Sequence, residues 1–92
     1  MYEIRVASSK VEKELAKIPR GDRERVVNEV RRLAENPRPS GIKALAPGIY
    51  RLRIGSYRVV YRVYDDEQII LIGRFARRSE GTYRDWEKLF RN

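Results

Sequence analysis

Apolar and polar residues alternate with a period of two from Ile49 to Val63, in the stretch IYRLRIGSYRVVYRV. The alternation breaks at Gly55-Ser56. Two alternating runs around a two-residue loop with glycine first predict a β-hairpin closed by a type II′ turn. Counting outward from the loop, Ile54 lies opposite Tyr57, Arg53 opposite Arg58, Leu52 opposite Val59 and Tyr50 opposite Tyr61. Side chains alternate across a sheet, so Tyr50, Leu52, Ile54, Tyr57, Val59, Tyr61 and Val63 share one face. Arg51, Arg53, Arg58 and Arg62 share the other. One face suits a core; the other is a cationic plate.

The remaining patterns build around this hairpin. Tyr2 to Val6 alternates as a short strand. Ser9 and Glu12 then have the spacing of a capping box, and Val11, Leu15 and Ile18 recur at helical intervals. Pro19-Arg20-Gly21 breaks that helix. A second helix is expected from about Asp22 to Glu35, with Val26, Val27, Val30, Leu33 and Ala34 as its apolar stripe. Asn36-Pro37 ends it, because the residue before proline disfavours the helical region. Pro37 to Gly48 holds prolines and glycines and reads as an irregular loop, with Ile42 and Leu45 as anchors and Lys43 as an exposed cation. Asp65-Asp66-Glu67 turns the chain into a strand from Gln68 to Phe75, whose unbroken apolar run, Ile69 to Ile72, predicts a central position covered on both faces. Thr82 with Asp85 forms a second capping-box pattern, and Trp86, Leu89 and Phe90 make the stripe of a C-terminal helix. The expected fold is α+β and one domain, residues 1–92: a two-helix hairpin and a C-terminal helix on a four-stranded, mainly antiparallel sheet, in the order β-α-α-β-β-β-α.

Composition narrows the chemistry. The 92 residues carry 21 Lys and Arg against 13 Asp and Glu, a formal net charge of +8, which points to an anionic partner. Histidine and cysteine are absent, which removes the commonest general base, the thiolate nucleophile and the usual zinc ligands. The acidic triplet at residues 65–67 sits where aspartate is favoured for turn formation and has no second acidic cluster to join it, so no metal and no cofactor are expected. No apolar run approaches the roughly 20 residues that span a bilayer, and no signal-peptide pattern opens the chain, so a cytoplasmic protein without membrane contact is expected.

The plate itself is locally unfavourable. Like charges directly opposite on neighbouring strands destabilise a sheet by up to about 1 kcal/mol per pair. The hairpin supplies no carboxylate to relieve Arg53 opposite Arg58. A solvated outer face with acids from elsewhere would account for this. We favour a polyanion site, because arginine forks match phosphate geometry in two-point contacts.

Three segments together carry a family resemblance. The block YRLRIGSYRVVYRV at residues 50–63, the ENP that ends the second helix at residues 35–37, and the tail FARRSEGTY at residues 75–83 resemble the RelE branch of the RelE/ParE toxin superfamily. The resemblance implies a toxin of a type II toxin–antitoxin pair. RelE-like members enter the ribosome, cut the messenger RNA there, and are held inactive by an antitoxin that wraps them. By position, it implies catalytic roles for Arg51 and Arg53 on the first hairpin strand, Arg58 on the second, Arg77 after the last strand and Tyr83 at the start of the last helix. The cationic plate and the cations of the loop and the last strand's end nominate Arg62, Lys43, Arg74 and Arg78 as RNA or ribosome contacts. The expected partners are an acidic, RelB-like antitoxin, the ribosome and messenger RNA. A ParE-like inhibitor of DNA gyrase shares the fold and is the alternative.

The departure from the family matters chemically. Arg51 and Arg53 stand where well-studied members carry lysine. Guanidinium holds its proton too tightly to serve as a ready base. It can stabilise a phosphorane, which is often the largest electrostatic contribution to such a reaction. Proton transfer is then left to Tyr83, Lys43 or a ribosomal group. Tyr83 could equally stack on a base or simply pack against the last helix.

Overall fold

In the computed structural model, which describes residues 1–78 and 86–90, the chain runs β1 (Glu3–Val6), α1 (Ser9–Ala16), α2 (Arg20–Arg32), β2 (Lys43–Ala46), β3 (Ile49–Ile54), β4 (Tyr57–Tyr64), β5 (Ile69–Arg77) and a 3-10 turn, Trp86–Phe90. The β3–β4 hairpin has the counted register, from Ile54 opposite Tyr57 to Tyr50 opposite Tyr61. Gly55 takes φ 59°, the left-handed value that the first loop position of a type II′ turn requires and that glycine adopts without steric cost.

The sheet has five strands, in the order β1-β5-β4-β3-β2, where four were expected. The extra strand is β2, which lies inside the segment read as a loop. Its sequence KALA contains no β-branched or aromatic residue, so nothing local signals a strand. It pairs because β3 offers a free ladder: Lys43 lies opposite Arg51 and Ala44 opposite Tyr50, before a bulge between Ala44 and Ala46. At the opposite side β1 joins β5 in parallel, while all the other pairs are antiparallel.

Both α-helices cover one face of this sheet. Val11 of α1, Ile18, Val26 and Val30 of α2, and Leu33 pack against Leu52, Ile54, Val59, Tyr61, Val63, Ile70, Ile72 and Phe75. Tyr61 is fully buried, and its hydroxyl donates to the Pro37 carbonyl at 2.8 Å, which pins the segment after α2 to the core. The Ser9–Glu12 capping box is not formed. The helix starts one residue earlier than that pattern assumes: Ala7 N–H still bonds the Ile72 carbonyl at 2.8 Å, Ser8 is the extended N-cap, and Ser9 is already helical.

The C-terminal element departs further from expectation. Over the described residues it is a 3-10 turn rather than an α-helix, and it sits on the sheet face opposite α1 and α2. Phe90 lines a shallow hollow there with Arg5, Tyr64, Ile69 and Leu71. The Thr82–Asp85 capping box lies outside the described residues.

Gly73 makes that docking possible. It is the extra residue of a β-bulge, since Val60 pairs with Arg74 but Tyr61 pairs with Ile72. A Cβ at Gly73 would stand 2.7 Å from the Phe90 ring and 3.1 Å from the Leu89 Cβ. Gly73→Val should therefore push the terminal turn off the sheet and cost about 1–3 kcal/mol, as overpacking usually does. Chemical denaturation checks the loss. Tyr61→Phe should cost about 1 kcal/mol by leaving the Pro37 carbonyl without its donor, with the fold retained.

Candidate nucleic-acid interface

Strand β4 places the arginines. In an antiparallel pair directly opposed residues project to the same face, so the register assigns each side chain. Tyr57, Val59, Tyr61 and Val63 face the helices. Arg58, Val60 and Arg62 face the other way, and across β3 they are joined by Arg51 and Arg53. The four hairpin arginines do share one face.

The structure adds a fifth cation. Lys43, opposite Arg51 on β2, extends the plate to the sheet edge. Read across the sheet, one row runs Lys43, Arg51, Val60, Arg74, and the next runs Arg53, Arg58, Ala76. Val60 is thus flanked by Arg51 and Arg74 across the ladder and by Arg58 and Arg62 along its own strand. It is fully buried, and Ile49 on the same face is 6% exposed. Arg51, Arg58 and Arg62 are themselves half-buried, as expected where apolar stems lie over an apolar floor. The burial of Val60 escaped the sequence reading. The VV pair at Val59-Val60, an apolar residue on each face, was the available signal.

The charge of the plate is poorly neutralised from within. Among the described residues, Lys43, Arg53, Arg58 and Arg62 make no ion pair with an aspartate or glutamate. Arg62 instead lies 4.9 Å from the centre of the Tyr64 ring, a cation–π contact. The buried Nε of Arg58 finds no hydrogen-bond partner among the described residues. An acceptor-rich ligand would satisfy it.

Two of the expected site residues turn away from the plate. Arg77 is the last residue of β5 and pairs with Tyr57, so it projects to the helix side of the sheet, away from Arg51, Arg53 and Arg58. The Gly73 bulge is the cause. A one-residue insertion flips every side chain beyond it to the other face, so Phe75 and Arg77 point inward while Arg74 and Ala76 point outward. Arg74 starts on the plate side, yet its guanidinium reaches Glu14 of α1 at 3.6 Å around the open edge of β5. Arg78 follows the strand, with its N–H bonded to the Ser56 carbonyl at 2.6 Å. Tyr83 lies outside the described residues.

The acidic turn serves the fold. Asp65 accepts from Arg38 at 2.7 Å and 3.2 Å and from the Tyr2 hydroxyl at 2.7 Å. Arg38 also donates to the Tyr50 hydroxyl at 2.9 Å, so one cluster ties β1, the segment before β2, β3 and the β4–β5 turn together. Hydrogen bonding to the Arg38 guanidinium, with a second bond from Tyr2, lowers the Asp65 carboxyl below its ordinary range. Among the described residues, no helix is long and apolar enough to cross a membrane.

Residues 6–81 match the sequence model of the ParE toxin of the type II toxin–antitoxin system parDE. The chain belongs to the ParE toxin family. Within the RelE/ParE superfamily this toxin is RelE-like. It is 36% identical over 81 residues to a Methanocaldococcus jannaschii protein named as toxin RelE1, covering 83% of this chain and 89% of that one. Its fold matches the isolated RelE toxin of Escherichia coli with a TM-score of 0.76 at 22% identity, over 97% of this chain and 96% of that one. It also matches a chain of the archaeal RelE–RelB complex from Pyrococcus horikoshii, with a TM-score of 0.74 at 24% identity, over 87% and 98% of the two chains. A toxin–antitoxin complex from Mycobacterium tuberculosis matches at 26% identity and a TM-score of 0.71, over 83% of this chain and 96% of that one.

The Asp65 cluster gives this toxin a pH signature. A carboxyl whose folded pKa is depressed adds stability above its unfolded value and loses it as pH falls through the folded value. Asp65→Asn should therefore melt below wild type at neutral pH. The difference should close as the pH drops below the ordinary aspartate value of 3.8, measured by thermal unfolding across pH.

Proposed function

We propose that this toxin is a ribosome-dependent endonuclease that cuts messenger RNA without a metal ion. The observation that carries the reading is the plate, in which Lys43, Arg51, Arg53, Arg58 and Arg62 share one face over a buried valine. The reaction would be attack of a ribose 2′-hydroxyl on the adjacent phosphorus. The O2′–P bond forms, the bond to the next O5′ breaks, and charge accumulates on the phosphorane oxygens. Arg51, Arg53 and Arg58 are suited to hold that charge through forked contacts that strengthen as it develops. Arg62 would grip a neighbouring phosphate.

Proton transfer needs a different group. Arginine stays charged, so the candidates are Tyr83, a ribosomal group, and Lys43, which stands beside Arg51 at the sheet edge. A protein with this inventory is a weak nuclease by itself. Substrate held by the ribosome in an attack-ready geometry supplies what it lacks, since positioning alone is worth several kcal/mol. In the cytoplasm the natural antagonist would be an acidic RelB-like antitoxin, with an amphipathic helix laid in a groove of this domain. The RelE–RelB assemblies among the structural relatives support that partner.

Added to translating ribosomes, the purified toxin should yield discrete, codon-phased cuts, and none on naked RNA. Arg58→Ala should slow cleavage by about 10²–10³-fold, the usual cost of removing one donor to a developing oxyanion. It should still fold and melt cooperatively, because relief of the repulsion with Arg53 offsets the packing lost over Val60. The ParE family match makes gyrase the control. Intact message together with loss of plasmid supercoiling would replace the nuclease reading with gyrase inhibition.

A further inference from the structure

The geometry points to a second RNA contact, on the helix side of the sheet. We propose that the cleft between α1 and the end of β5 holds backbone phosphates of the RNA that leaves the arginine plate. The cleft measures about 440 Å³ and is walled by Lys10 and Lys17 on one side and by Arg74 and Arg77 on the other. Ile18, Tyr57 and Phe75 line its floor.

Among the described residues that line the cleft are four cations and one acid, Glu14, which is already engaged. Glu14 accepts from the Phe75 N–H through Oε1 at 3.2 Å and pairs with Arg74 through Oε2 at 3.6 Å. The first contact has a clear structural purpose. Beyond Ile72 the β1 strand no longer accompanies β5, and the Glu14 carboxylate caps the ladder amide exposed there. Lys10 and Lys17 are left without an ion-pair partner among the described residues.

Spacing admits an extended ligand. Lys10 and Lys17 are two helical turns apart, about 10 Å along the axis at 1.5 Å per residue. That spacing lets each flexible side chain take a phosphate of its own. It suits a chain of phosphates. The cleft also reaches toward the hairpin end: Arg77 lines both it and an adjoining hollow of about 710 Å³ bordered by Asp22, Ser56, Tyr57 and Arg78. Arg53 and Arg58 stand at that same end on the other face. A single strand of RNA could round the end of the sheet and meet cations on both sides. The proposal rests on the reading of the plate as an RNA site, and it gives Arg77 a binding role on the face where the bulge has put it.

The test is the salt dependence of binding to a short fluorescent single-stranded RNA, followed by anisotropy. Each phosphate contact to a single strand contributes about 0.7 to the slope of log K against log salt. Lys10→Gln with Lys17→Gln should lower that slope by about 1.4. Lys13→Gln, on the same helix but outside the cleft, should leave it unchanged. The conservative pair Lys10→Arg with Lys17→Arg should restore it, which separates a charge contact from a structural effect. An unchanged slope in the glutamine pair, or failure of the arginine pair to restore it, overturns the proposal. Ribosomal cleavage by the wild-type toxin is scored in parallel. If the glutamine pair loses slope while the wild type cuts no message, the cleft stands as an RNA contact and the nuclease reading falls.

Discussion

Strand β4 is bonded along both edges, to β3 and to β5, and the two-residue alternation of its side chains is the constraint on which the molecule depends. Tyr57, Val59, Tyr61 and Val63 must all meet the helices, so Arg58, Val60 and Arg62 must all turn away. A slip of one residue would bury two guanidiniums and expose the core. The burial that holds this register is extensive, with Val59, Val60 and Tyr61 all at 0% exposure. Against it, each like-charge pair on the outer face costs at most about 1 kcal/mol. The core therefore wins, and the arginines are held together whether or not an anion is present. A cationic surface assembled in advance need not be ordered when its ligand arrives.

The edges show how the sheet handles its interruptions. β2 shields β3 on one side with a strand of weak propensity, and in doing so brings Lys43 beside Arg51. On the other side β1 ends at Val6, and the Glu14 carboxylate takes over where backbone carbonyls stop. Between them, the Gly73 bulge exchanges the faces of everything that follows. The same glycine lets Phe90 and Leu89 approach the plate side of the sheet, where a side chain would block them. One small residue thus decides both where the C-terminal turn docks and which face receives Arg77.

The toxin family to which this chain belongs gives the plate a context. Arginine at residues 51 and 53 offers forked phosphate contacts but no readily transferred proton. Positive charge is then plentiful and titratable groups are few. Such a surface is suited to holding an anionic ligand and stabilising negative charge. The cleft beside α1 adds Lys10 and Lys17 to the cations of the opposite face.

What could be read from the sequence was whatever obeys local periodicity. The hairpin register, the inward and outward faces of β3 and β4, the helix stripes of Val26, Val30 and Leu33, and the central place of β5 all follow from spacing and turn chemistry, because each is enforced by residues close in the chain. What tertiary structure alone decided depends on partners distant in sequence. KALA becomes a strand only because β3 has an unsatisfied edge, and Ser9 loses its cap to the reach of the β1–β5 ladder. Arg77 changes face because Gly73 bulges against β4. No pattern of apolar residues records a bulge, since a glycine fits either phase of the alternation equally well and the choice is made by what packs on it.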